Sequence, residues 1–284
     1  MISSILAISF WGLKPSIDFT GGSLLSISFD GASPTVIEVN NVLVEIGIEN
    51  SSTRPSSEGF IIRLPEITQN EKNSIIEKLS FDGKYFPIEK TFSTIGPILG
   101  KEAIQKSWIS IILVLLAIIL FITFAFRKVS KTVSSWVYGL ITILALLHDV
   151  LIPTGVFAIL GYLAGVEVDT LFVTALLVIL GFSVHDTIVV FDRVRENLHR
   201  NEDFKEKKDF ETIVGESINQ TFIRSINTSV TTLLAIFILY LLGPETIKSF
   251  TLAMIIGIAA GTYSSIFFAS PLLVTINNWK NKDK

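Results

Sequence analysis

"WISIILVLLAIILFITFAF", residues 108–126, runs for nineteen residues without a charge. A helix needs about 20 such residues to cross a hydrocarbon core roughly 30 Å thick, and in lipid only a helix satisfies its own backbone groups. The same signal recurs at Trp136–Leu160, Leu171–Phe191, Phe222–Leu242 and Phe250–Ile276. Composition agrees, since 49% hydrophobic and 17% charged residues leave too little polar surface for a soluble domain of 284 residues. The chain reads as a polytopic α-helical membrane protein with five full spans within residues 108–279. Residues 1–13 are apolar but too short to span, and are read as a shortened first transmembrane segment. A signal peptide is not expected, because no Lys or Arg precedes that run and no small-residue cleavage site follows it.

Loop charge gives an orientation. Arg127, Lys128 and Lys131 follow the first full span, and Arg193, Arg195, Arg200, Lys205, Lys207 and Lys208 follow the third. The tail, 280–284, adds Lys280, Lys282 and Lys284, whereas "AGVEVD" (164–169) and "GPETIK" (243–248) hold one lysine between them. Positive charge marks the cytoplasmic side, so residues 14–107 are expected outside it as one inserted domain. There "SLLSISF" (23–29) and "GFIIRL" (59–64) have strand patterns, and 33–47 and 68–80 have helical stripes with start signals. The residues before "RPSSEG" suit the other arm of a hairpin, and "KYFPIEKTFS" (84–93) a closing strand. The order β-α-β-β-α-β predicts a small α+β ferredoxin-like fold.

Chemistry is sparse. Zero cysteines exclude disulfides and thiolate sites. No glycine-rich phosphate loop, nucleophile elbow or nucleophile–base set is recognisable. Nothing in the chain calls for an enzyme, a cofactor or a nucleic-acid partner. The informative residues are polar ones inside apolar spans, which are expensive in lipid and point to function. In "GFSVHDTIVVFDRVREN" (181–197), Asp186 lies about 10 Å inside the basic end, and Ser183, Asp186, Thr187 and Val190 share a helix face. Asp149 follows His148 in the second span, and Arg224, Asn227, Thr228 and Thr231 share a face of the fourth. One reading is a proton path of carboxylates at staggered depths, with Arg224 compensating Asp186 across the helix gap. Another is a hydrogen-bonded lock that only holds the bundle together. A His/Asp metal site is disfavoured, because adjacent residues point about 100° apart on a helix.

Six ordered segments carry a resemblance: "IDFTGG" (17–22), "GPILGKE" (96–102), "HDV" (148–150), 181–197, "RSINTSVTTLL" (224–234) and "TYSSIFFASPL" (262–272). Together they resemble the SecF family of protein-translocase subunits, in the resistance-nodulation-division superfamily. The resemblance implies half of such a transporter, in a bacterial inner membrane, with the inserted domain in the periplasm. It implies an auxiliary role in preprotein export, driven by the proton gradient. The implied partners are SecD, the SecYEG channel, the unfolded chain in transit and the lipid bilayer, with YidC as a further candidate. It assigns proton transfer to Asp186 with Arg224 as electrostatic partner, and the reading of polar residues in the spans adds Asp149, Thr187 and Thr228 to the path. Asp18, Gly21 and Gly22, with Gly96 and Gly100, become the junctions about which the inserted domain swings. The chain departs from the family pattern in carrying Ser16 where glycine is more frequent. The competing readings are an exporter of small molecules or lipids, which would ordinarily fuse two such halves, and a passive membrane scaffold.

Overall fold

The computed structural model describes residues 1–48, 51–56, 59–126, 135–204 and 208–282. They form two compact units, one of residues 14–108 and one of 1–13 with 109–284. In chain order the elements are α1 (Ile2–Trp11), α2 (Ile17–Thr20), β1 (Gly22–Phe29), α3 (Val36–Glu45), β2 (Ser52–Pro55), β3 (Gly59–Leu64), α4 (Gln69–Lys78) and β4 (Pro87–Ile95). The long helices follow: α5 (Pro97–Ala125), α6 (Ser135–Ala164), α7 (Thr170–Asp203), α8 (Phe210–Leu242), α9 (Lys248–Ser264) and α10 (Ser270–Lys282).

The α+β unit is a four-stranded antiparallel sheet in the order β2-β3-β1-β4. That is the ferredoxin-like split, with both arms of the expected hairpin present. Alternation sets its faces. Leu25 pairs with Ile62 and Ile27 with Phe60, and these side chains form one core with Val39 and Leu43 of α3 and Ile75 of α4. Both helices begin with a complete capping box, Thr35 with Glu38 and Thr68 with Glu71. In each, the backbone N–H and then the hydroxyl of the threonine hold the glutamate below the usual carboxylate range. Lys72 is buried under the sheet edge, its Nζ 2.5 Å from Glu89 and above the Phe92 ring.

The helical unit has five helices long and apolar enough to cross a membrane. They overrun the apolar stretches that announce them, because hydropathy marks only the lipid-facing length of a helix. The polar continuation of α7 pairs with the start of α8: Asn197 Nδ2 donates to Ser217 Oγ at 2.8 Å, and Arg193 Nε to Gln220 Oε1 at 2.5 Å. The loop cations Arg127, Lys128, Lys131, Lys205, Lys207 and Lys284 lie outside the described residues, as do Ser57 and Glu58 of the hairpin. α6, α7 and α9 make the centre of the unit, while α5 and α8 leave most of their apolar span exposed. The short α1 packs on α6, Ser4 against Gly155 and Trp11 stacked on Tyr162 at 5.3 Å.

α9 and α10 are one membrane passage interrupted by a π turn at Ser265–Ala269. Pro271 explains the interruption, since it has no N–H to donate and its ring would clash with a carbonyl one turn back. Ser270 Oγ closes the wide turn by donating to Ser265 O at 2.9 Å.

Candidate functional site

Close helix packing builds the site. A Cβ on Gly257 would overlap the Ile179 side chain, and one on Gly261 would lie 3.1 Å from Ser183 Cβ. Two glycines four residues apart thus let α9 lie directly against α7, as small residues do in membrane bundles. Ser264 and Ser265 follow on the same helix.

Asp149 on α6 is fully buried. Its Oδ2 accepts from Ser183 Oγ at 2.5 Å and from Ser264 Oγ at 2.7 Å, and its Oδ1 lies 2.8 Å from His148 Nδ1. The His148 ring stacks on Phe268 of the π turn at 5.3 Å. Asp186 on α7 is also buried, and its Oδ2 accepts from Ser265 Oγ. The two carboxylates are therefore held by consecutive serines. Sixteen residues from Thr170 to Asp186 and fifteen from Asp149 to Ala164 correspond to roughly 24 and 22 Å of helix. The acids stand at one level, on consecutive serines, and not at the staggered depths expected, because α7 runs on to Asp203, well past the end of its apolar stretch at Phe191. Among the described residues of this unit no lysine or arginine is buried beside them.

Arg224 is elsewhere. It lies with Asn227, Thr228 and Thr231 on the exposed face of α8 and makes no ion pair among the described residues. The expected approach of Arg224 to Asp186 is absent from this conformation. The spacing places the four residues correctly on one face, but the inward face is another stripe, Ser217, Thr221, Ser225 and Ser229. Four small polar residues at intervals of four were a visible signal for it. Ser229 Oγ accepts from Thr262 Oγ1 at 2.6 Å. Thr187 is buried next to Asp186 and its hydroxyl has no partner among the described residues. His185 is exposed, so the two His–Asp pairs do not converge. Sequence reasoning missed Ser264, Ser265 and the π turn, although "SSIFFASP" places two serines about two turns before a helix-breaking proline.

The junction glycines are packed tightly. A Cβ on Gly21 (φ 75°) would meet Pro97 Cα at 2.9 Å, and one on Gly100 would meet Phe19 O at 2.8 Å. Gly22 (φ 117°) abuts Leu64 O, whereas Gly96 has open space around it. Asp18 N donates to Ser16 Oγ at 3.2 Å, starting α2. Arg63 anchors the same turn, its guanidinium donating to Pro15 O at 2.9 Å and Thr20 Oγ1 at 2.6 Å.

Comparison with known proteins fits this architecture. Residues 78–279 match the family model described as protein export membrane protein SecD/SecF, C-terminal. Protein translocase subunit SecF of Thermobaculum terrenum is 45% identical over 297 residues, covering 100% of this chain and 90% of that protein. Protein translocase subunit SecDF of Thermus thermophilus is 34% identical, over 96% of this chain and 35% of that one. The crystal structure of SecDF from Thermus thermophilus, titled a translocon-associated membrane protein, superposes with a TM-score of 0.82 and 32% identity. It covers 99% of this chain, which spans only 37% of that one. With a ferredoxin-like unit, a half-transporter bundle and full-length relatives of this identity, the chain belongs to the SecD/SecF family of protein-export membrane proteins.

Proposed function

We propose that this chain is an auxiliary, non-enzymatic subunit of the Sec preprotein translocase, and that Asp186 carries the proton that drives it. The observation that carries the reading is a buried aspartate at membrane depth, held by one hydroxyl and with no buried cation beside it. An acid so placed is costly unless it does work. Asp149 is saturated with partners and serves as the fixed member of the pair; Asp186 is the exchangeable one.

The face of α8 bearing Arg224 suggests where the second half of the transporter belongs. Thr228 and Thr231 donate to their own helix carbonyls, Arg224 O and Asn227 O, both at 2.9 Å. Arg224 and Asn227 have no such outlet among the described residues, and an exposed arginine within an apolar span is costly without a partner. A SecD subunit covering this face would supply partners and bring Arg224 into the proton path. That the SecDF relative is nearly three times as long supports this reading, since this chain answers to only one part of it. The basic loops lie in the cytoplasm, and the α+β unit in the periplasm, where it engages polypeptide leaving SecYEG.

The test is preprotein export into inverted inner-membrane vesicles containing Asp186→Asn at unchanged expression and SecD assembly. Asn keeps the size and accepts from Ser265 but cannot exchange a proton, so stimulation of export by the proton gradient should vanish. Gradient-dependent export at the wild-type rate would refute the proton role and leave a scaffold.

A further inference from the structure

Each of the two serines that hold the carboxylates has a second acceptor within reach. Ser265 Oγ lies against Asp186 Oδ2 and 3.1 Å from Thr262 O; Ser264 Oγ lies 2.7 Å from Asp149 Oδ2 and 3.1 Å from Gly261 O. A hydroxyl has one hydrogen, and two lone pairs with which to accept. It can therefore donate across to the carboxylate or back to its own helix three residues earlier, not fully to both.

That choice matters where water is excluded. An ionised carboxylate needs a donor, and a protonated one needs an acceptor for its own O–H. A partner fixed in either role would leave one state with an unmet buried polar group, costing about 1–3 kcal/mol. We propose that Ser265 is a protonation adapter for Asp186, a positioning residue that serves both states by turning its hydroxyl. With Asp186 ionised, Ser265 O–H donates to Oδ2. When a proton from the aqueous side arrives on Oδ2, the new carboxyl O–H donates to Ser265 Oγ. The serine hydrogen then swings to Thr262 O. No covalent bond of the serine breaks, the proton stays on the carboxyl, and both states keep their hydrogen bonds. The π turn begins at Ser265 and its carbonyl is taken by Ser270 Oγ, so the backbone around the rotor is held while the hydroxyl turns.

The inference rests on the reading that Asp186 exchanges protons. The other titratable groups near it are few. α6 offers Asp149 and His148, α9 offers Tyr263 beyond His148, the buried residues of α8 are Ser, Thr and aliphatic with none that titrates, and His185 and Arg224 are exposed. Among the described residues, none of them makes a hydrogen bond to Asp186, and Ser265 does.

The experiment is an infrared pH titration of the protonated-carboxyl C=O band, on the chain co-assembled with its partner subunit in lipid vesicles. The band lost in Asp186→Asn identifies Asp186. In Ser265→Ala the ionised state loses its donor, and the midpoint of that band should rise by about one pH unit, a tenfold tighter hold on the proton. Ser265→Thr keeps the hydroxyl and should keep the wild-type midpoint. Ser264→Ala should move the Asp149 band less, because Ser183 still donates to it. An unmoved midpoint in Ser265→Ala, or an equal shift in Ser265→Thr, overturns the adapter while Asp186 still titrates. If Asp186→Asn removes no titrating band, the proton reading itself falls and the adapter with it.

Discussion

Asp149 and Asp186 are the same residue type at one level of one bundle, yet their surroundings differ. Among the described residues, Asp149 is met by Ser183, Ser264 and His148, and Asp186 by Ser265 alone. Truncating Asp149 strands Ser183 and His148, whereas Ser264 and Ser265 can each turn back to a carbonyl of their own helix, so truncating Asp186 strands neither serine, at about 1–3 kcal/mol for each unmet group. Thermal denaturation in detergent should therefore show Asp149→Ala losing several degrees more than Asp186→Ala. Equal losses would mean that the Asp149 contacts contribute little. Arg224 yields a different expectation. On the exposed face of α8 it cannot tune Asp186 in the lone chain, so Arg224→Met should leave the Asp186 titration of the unassembled subunit unchanged. In the assembled complex the same change should abolish gradient-driven export, and combining it with Asp186→Asn should add nothing. Additive defects would separate the two residues.

Among the elements, α9 and the two capped helices show how local sequence shapes the molecule. Gly257 and Gly261 let α9 approach α7, and a Gly257→Val change would drive methyl groups into Ile179, typically costing 1–3 kcal/mol. The capping boxes act in the α+β unit. Glu38 and Glu71 titrate below the ordinary 4.5 because threonine donors favour their charged form. A folded-state value below the unfolded one means that the stabilisation is complete above the unfolded pKa and is lost as pH falls through the lowered values. The unit should thus hold steady stability from neutral pH to about 5 and weaken below 4. Amide exchange at the starts of α3 and α4 in the intact protein would read this, and Thr68→Ala should flatten the response at α4 only.

For the whole molecule, much could be read from the chain itself and some could not. The five spans, the strand order and the two Thr-capped helices follow from periodicity and cap chemistry, which are local. Which face of α8 turns inward did not, because Arg224–Thr231 and Ser217–Ser229 are both regular polar stripes and packing against α9 decides between them. The common level of Asp149 and Asp186 also escaped, since an apolar run does not report how far its helix continues, and α7 continues to Asp203. The motion expected of the inserted domain has a further candidate pivot. Gly21, Gly22 and Gly100 are wedged against backbone, whereas Gly96 has open space and Gly12 closes α1 at φ 66° with nothing within 4 Å. A lever working on this plan would bend at Gly12. Gly12→Val, strained by roughly 1–2 kcal/mol in that conformation, should slow late export without changing the Asp186 titration. Unaltered export kinetics would discard the pivot.

The polar stripe on α8 has a consequence for the life of the protein in a cell. A copy made in excess of its partner keeps Arg224 and Asn227 turned to lipid, where neither has a helix carbonyl to satisfy it. Such a surface would serve as a degradation signal: membrane proteases that extract unassembled helices would find it on orphans and lose sight of it once the partner covers it. Subunit ratio would then be set by turnover, with no need for matched synthesis. In pulse-chase labelling, the half-life of the chain should shorten when its partner is depleted, and Arg224→Leu with Asn227→Leu should restore it. Equal half-lives with and without the partner would show that the stripe carries no such signal.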